Sequence, residues 1–185
     1  MRQATVASLV FLALLINTAP AGAHVFLASS TGKITVKLLS ALAYNNGSGT
    51  VECNGARLVE GEVRTTKSLF LTSTIEFESC KAFGFVTNDV DLVRVRSTAE
   101  GSISLLRSVT ITPLGAGCSI TFPSSKNQNL GTVKYKNTNK KIEKIAQISH
   151  LTNESTGGLC GSGTSGGAFT GNALVGLIGG TIDWQ

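Results

Sequence analysis

The sequence is poor in charged, aromatic and histidine residues, and the shortages of charge and of histidine each argue against a class of protein. Charged residues make up 15% of its 185 residues, and hydrophobic residues make up 42%. A chain with this balance can bury a core, so it is not intrinsically disordered, and it has too little Glu, Lys and Leu for a coiled coil. With two histidines, little material is available for a Ser-His-Asp triad. No apolar run reaches the ~20 residues that a membrane-spanning helix needs.

The first 23 residues have the organisation of a secretory signal peptide. Arg2 supplies a positive charge, residues 6–16 form an apolar run, and residues 21–23 are the small Ala-Gly-Ala of a cleavage site. We predict cleavage after Ala23, which leaves one all-β domain of residues 24–185, secreted or at the cell surface, with no membrane span. The alternative is an uncleaved N-terminal anchor. The mature chain would carry 15 basic and 11 acidic residues, a net charge of +4.

Four cysteines in an exported chain indicate disulfides, because the compartment is oxidising. Three pairings are possible, and we favour Cys53–Cys80 with Cys118–Cys160, since this sequential pairing would tie neighbouring strands. Each disulfide would stabilise the fold by roughly 3–4 kcal/mol on the loop-entropy model. The chain has no CxxC motif and no histidine near a cysteine at zinc-ligand spacing, so we do not expect a zinc site.

The mature chain has the alternation and the turns of an all-β protein. Val, Ile and Thr make up about a quarter of it and favour pleated strands. Ile75 and Phe77 share one strand face, and within residues 101–112 one face carries Ile103, Leu105, Val109 and Ile111. Turn signals such as Asn54-Gly55 and Gly179-Gly180 recur along the chain. We predict an antiparallel β-sandwich, with a β-barrel as the alternative, stapled by the two disulfides.

The predicted strands cover residues 33–39, 49–53, 57–64, 68–79, 83–96, 101–112, 117–122, 130–136, 141–152, 167–170 and 173–184.

Several segments of the mature chain carry a resemblance to a known family. The start Phe-Leu-Ala-Ser-Ser-Thr-Gly-Lys-Ile-Thr-Val-Lys at residues 26–37 is one, and others lie at residues 49–53, 80–86, 132–135, 158–161 and 179–184. In these segments the chain resembles a family of uncharacterised, secreted all-β proteins from soil actinobacteria. The resemblance covers nearly the whole mature chain, including the four cysteines. It implies export and an all-β fold, and it implies no particular activity.

One segment concentrates basic residues, namely Lys134, Lys136, Lys140, Lys141 and Lys144. Such a cluster would bind a polyanion, for example an acidic polymer of the cell envelope. The alternative is the solvated tip of a hairpin, where Glu143 dilutes the positive field. A net charge of only +4 argues against nucleic acid as the partner.

His24 and His150 are candidate metal ligands. If cleavage makes His24 the first residue, its α-amine and imidazole would chelate copper, and His150 would complete a histidine brace, as in lytic polysaccharide monooxygenases. His150 alternates with Ala146 and Ile148, so it would face the core side of its strand. The alternative is that both are structural, and the low aromatic content offers little for a polysaccharide-binding face.

Glu76 and Glu78 form a carboxylate pair on one strand face, the arrangement that glycoside hydrolysis uses. Side by side on a wet surface both would stay ionised and neither would donate a proton, so we interpret them as surface charges. We therefore assign no catalytic residue and no cofactor, and predict a non-catalytic binding or structural module for an envelope polymer or surface protein. The alternative function is a copper-dependent polysaccharide oxidoreductase, and the oligomeric state stays open.

Overall fold

Almost all of the described chain is β-structure. The computed structural model describes residues 23–45, 49–82, 84, 86–124, 129–160 and 163–185; the predicted signal peptide, except for Ala23, lies outside these ranges. Strands account for about 72% of the described residues, and the described ranges contain no α-helix. No helix in them is long and apolar enough to cross a membrane.

The strands run in chain order as follows: β1 Phe26–Ala28, β2 Gly32–Leu38, β3 Leu42–Asn45, β4 Thr50–Val63, β5 Lys67–Ser68, β6 Phe70–Ala82, β7 Val86–Val90, β8 Val93–Thr98, β9 Ser102–Leu105, β10 Val109–Pro113, β11 Ser119–Phe122, β12 Asn129–Thr138, β13 Lys141–Thr156, β14 Gly163–Leu177 and β15 Ile182–Trp184. A 3₁₀ turn covers Gly158–Cys160.

The long strands form a closed barrel of eight antiparallel strands. Four of the eight barrel strands are interrupted, and each of these consists of two segments: β2 with β3, β7 with β8, β9 with β10, and β11 with β12. We count each such pair of segments as one strand, because its two segments form ladders with the same two neighbouring barrel strands. Each barrel strand pairs with the next one along the chain, and β14 closes the ring by pairing with β2 and β3. This is up-and-down topology, in which hairpins connect all neighbours.

A small sheet covers one end of the barrel. It has the strand order β15-β1-β5, and we call it the end sheet. Its Phe26 and Ile182 are fully buried against Ile142, at the start of β13. The indole of Trp184 donates a hydrogen bond to the carbonyl of Ala99, with a distance of 2.7 Å. The first and last described strands of the protein therefore meet at the same place.

The two disulfides have the predicted pairing. Cys53 lies directly opposite Cys80 in the β4–β6 ladder, and the two are bonded. Cys118, just before β11, is bonded to Cys160 in the 3₁₀ turn that follows β13. Both bonds lie far from the end sheet, and they are what an oxidising compartment produces.

The all-β antiparallel class is confirmed, and the architecture is the closed barrel that the sequence analysis gave as the alternative to the favoured sandwich. The predicted turn at Asn54-Gly55 was wrong: both residues lie inside β4, which joins the predicted strands 49–53 and 57–64. The reason is tertiary, since β3 and β6 pair with this part of β4 on its two sides and the ladders outweigh local turn preference. Strands β1 and β3 were not predicted.

Candidate functional site in the barrel interior

The barrel encloses a cavity of about 180 Å³ lined by side chains from all eight strands. For scale, an apolar cavity of ~150 Å³ in another protein stays dry and binds benzene. The lining extends along β14 from Phe169 to Val175, a strand distance of about 20 Å. Almost every lining residue is apolar, and the polar ones are Tyr44, Ser73 and Lys144. This is a concave, mostly apolar site with a few inward polar groups.

Period-two alternation explains which residues reach the cavity. The face predicted from the sequence is confirmed, because the lining includes Ile103, Leu105, Val109 and Ile111. The interruption between β9 and β10 does not change which side chains point inward, so odd-numbered residues face the interior in both strands. Ile75 and Phe77 of β6 also face inward, as predicted. The alternation of apolar residues in the sequence therefore identifies the residues that line the barrel interior.

Two glycines of β14 let bulky side chains of β3 approach the barrel wall. A Cβ at Gly171 would overlap the Leu42 side chain, and one at Gly167 would overlap the Tyr44 ring. The Tyr44 ring also contacts the Phe122 ring, which is perpendicular to it with the two centroids 4.8 Å apart. The glycine-rich composition of β14 thus has a packing role in the barrel.

Lys144 is the charged residue of the cavity lining. Its Nζ donates a hydrogen bond to Oγ of Ser97 at 2.6 Å, and Ser97 itself is fully buried. Beside it on β12, Tyr135 donates its hydroxyl to the carbonyl of Thr98 at 2.7 Å. Lys144 retains partial accessible surface because its side chain faces the cavity space. Protein atoms surround it on the remaining sides.

Burial changes the acid–base properties of the interior polar groups. It lowers the pKa of the Lys144 ammonium from 10.5 to about 8, because the charged form loses its hydration. It raises the pKa of the Tyr44 phenol to about 12. Burial also raises the pKa of Tyr135, and a hydrogen bond with Ser97 opposes that change.

No ion pair neutralises Lys144 within the described ranges. The ion pairs found there join Arg57 to Glu76, Arg57 to Glu78 and Arg64 to Glu62, all on the outside of the barrel. A buried charge without a partner is costly. Lys144 is therefore an ammonium group at the wall of an apolar cavity, and none of the described residues supplies its counter-ion.

The structure separates Lys144 from the other four lysines of the basic segment. Lys134 and Lys136 lie on the outer face of β12, and Lys140 and Lys141 lie at the β12–β13 turn; all four are exposed. The sequence interpretation grouped Lys144 with them. Lys144 shares its strand face with Ile142, Ala146 and Ile148, and this alternation is the signal that identifies it as an interior residue.

The structure does not bring the two candidate histidine ligands together. The His24 ring stacks on Trp184 at the end sheet with centroids 4.7 Å apart, and its backbone N–H donates to Glu100 at 2.9 Å. His150 lies eight residues along β13 from Ile142, which is buried against that sheet; the strand distance is about 26 Å. The His150 side chain is outside the described part. Within that part, no three potential metal ligands cluster.

The carboxylate pair lies on the outer surface of the barrel. Glu76 pairs with Arg57, and the Glu78 carboxylate lies 3.7 Å from the same guanidinium. Both glutamates are at least one-third exposed, whereas the intervening Phe77 faces the cavity. This is the arrangement of charged residues on the wet face of a strand.

No protein-family profile, curated protein or solved structure matches this chain.

Proposed function

We propose that this protein is a secreted, non-catalytic binding protein that holds a small apolar molecule inside its barrel. The observation that carries the proposal is the apolar cavity of about 180 Å³ along the barrel interior. Protein interiors are normally close-packed, and an eight-stranded barrel is just wide enough either to be filled by side chains or to hold one small ligand. The presence of a cavity favours a barrel that holds one small ligand over a barrel that side chains fill.

Export is part of the same proposal. The signal-like residues 1–23 support it, and two disulfides agree with an oxidising compartment. A carrier or scavenger outside the cell meets apolar molecules at low concentration in water, where burying them in a preformed cavity is favourable. The rigid, disulfide-bonded barrel limits the conformational entropy that binding would otherwise cost.

Fluorescence titration with N-phenyl-1-naphthylamine, a probe that brightens in apolar surroundings, tests the proposal. We expect saturable binding of one probe per protein. Ala146→Phe should abolish it, because residue 146 lines the cavity and a phenyl ring would fill the space. Gln147→Phe is the matched control, since Gln147 is exposed on the next position of the same strand.

Each outcome decides between binding inside and outside the barrel. Loss of binding in Ala146→Phe with retention in Gln147→Phe supports the interior site. Equal binding by both variants, or no saturable binding by the unmodified protein, overturns the proposal. Ala146→Leu, which adds less volume, serves as a second filling variant if Ala146→Phe fails to fold, and thermal unfolding checks every variant.

A further inference from the structure

We propose that the cavity ligand carries a carboxylate and that Lys144 binds it, so that the preferred ligand is an apolar carboxylic acid such as a medium-chain fatty acid. This inference rests on the proposed function and adds the chemical class of the ligand. An apolar cavity alone would accept any hydrophobic molecule of suitable size. The position of Lys144 is what selects among them.

The geometry places a hydrogen-bond donor where a ligand head group would lie. Lys144 lines the cavity, and the ammonium group has three donors, one of which is used by Ser97. A carboxylate has two oxygens that accept from the remaining donors, and a charge-assisted bond of this kind is stronger than a neutral one. The ligand chain would then extend along the apolar lining.

The charges around Lys144 favour an anion. On β12 the titratable neighbour is Tyr135, whose pKa is raised by burial, so it is neutral at physiological pH. The facing positions contributed by other strands are Ser97 of β8 and Ala173 of β14, neither of which titrates. Glu143, next to Lys144 on β13, has the opposite strand parity and points outward. Among the described residues no carboxylate competes with a ligand for this ammonium.

The acid–base behaviour of Lys144 makes the interaction depend on pH. Burial lowers the pKa of the ammonium to about 8, so most of it is still charged at pH 7. A carboxylate in contact would stabilise the charged form and raise that pKa. Affinity for a carboxylate should therefore fall as the pH rises above about 8, whereas affinity for an uncharged ligand should not.

The test compares decanoate with decanol, which has the same chain and no charge, in displacement of N-phenyl-1-naphthylamine. At pH 7 we expect the unmodified protein to prefer decanoate by roughly tenfold to a hundredfold, the usual value of a hydrogen bond to a charged group. Lys144→Met should lose that preference and still bind decanol. Lys141→Met is the control, because it removes an exposed lysine of the same strand.

The outcomes separate this inference from the proposed function. Binding of both ligands with equal affinity, unchanged by Lys144→Met, overturns the carboxylate inference and leaves the cavity function standing. Failure of the probe and both ligands to bind overturns both. If Lys144→Met does not fold, NMR of the Lys144 side chain in the unmodified protein decides: its pKa must rise on addition of decanoate, and an unchanged pKa refutes the contact.

Discussion

Replacing Lys144 with methionine should remove a pH dependence of stability that the buried ammonium creates. Methionine has similar length and no charge, so it fills the same part of the cavity lining. In the folded protein the pKa of Lys144 is about 8, against an ordinary 10.5. Below pH 8 both the folded and the unfolded states bind the proton, so this group does not make stability change with pH there. Between pH 8 and 10.5 the unfolded state binds it and the folded state does not, so stability rises with pH.

The size of the effect follows from these two pKa values. Integrating the linkage relation from pH 7 to pH 9.5 gives a gain in the free energy of unfolding of about 2 kcal/mol for the unmodified protein. Lys144→Met should lack this gain. Other titrating groups contribute equally to the pH dependence of both proteins, so they cancel when the two pH dependences are compared. The variant also loses the hydrogen bond to Ser97, but this loss is the same at both pH values and therefore cancels as well.

Urea denaturation at pH 7 and pH 9.5 measures this difference. Trp184, the single tryptophan, reports unfolding by fluorescence. All four cysteines are disulfide-bonded, so no thiolate is present to start disulfide exchange at the higher pH. The midpoint of the unmodified protein should rise relative to that of Lys144→Met by about 1 M.

The control and the refuting result are well defined. Lys141→Met, which removes an exposed lysine, should behave like the unmodified protein. If the unmodified protein and Lys144→Met respond to pH alike within about 0.5 kcal/mol, a margin near the accuracy of extrapolated unfolding energies, Lys144 is fully hydrated. The interior of the barrel would then be filled with water, and an apolar ligand would have no dry cavity to enter.

Three further changes test the packing. Gly171→Ala should cost roughly 1–3 kcal/mol of stability because its Cβ would overlap Leu42, and adding Leu42→Ala to this variant should relieve the overlap. If Gly171→Ala unfolds at the same temperature as the unmodified protein, Leu42 does not approach Gly171 closely. Replacing Cys118 and Cys160 by alanine should cost about 4 kcal/mol for a loop of 42 residues, and an unchanged urea midpoint would argue against that bond. Trp184→Phe should cost about 1 kcal/mol through the lost indole hydrogen bond, measured by calorimetry.

Local sequence patterns predicted most of the strands and their inward faces, because alternation is a property of neighbouring residues. The face containing Ile103 and Ile111 is an example, and both residues line the cavity. The same logic assigns Lys144 to the interior, since it alternates with Ile142 and Ala146. The sequence interpretation instead placed Lys144 in a surface cluster of lysines, because it used the local density of charge and not the alternation along the strand. For Lys144, alternation along the strand predicts the observed position and charge density does not.

Barrel closure was not predictable from local patterns. It depends on the pairing of β14 with β2 and β3, for example Val175 with Val36, and nothing within a short window encodes contacts between residues so distant in sequence. A sandwich and a barrel built from the same alternating strands differ only in such contacts. The turn signal at Asn54-Gly55 failed for a related reason, because ladders formed by distant strands keep those residues extended.

The pairing of the first described strand, β1, with the last, β15, has a consequence for how the protein folds. Residue 25 exchanges two backbone hydrogen bonds with the last residue, Gln185, and β14 must be present before the ring can close. A chain whose last strands have not yet been synthesised lacks these partners, so the native barrel forms only after β14 and β15 have been made. Contacts at such long sequence separation slow folding. The barrel therefore stays open until β14 has been made and has paired with β2 and β3.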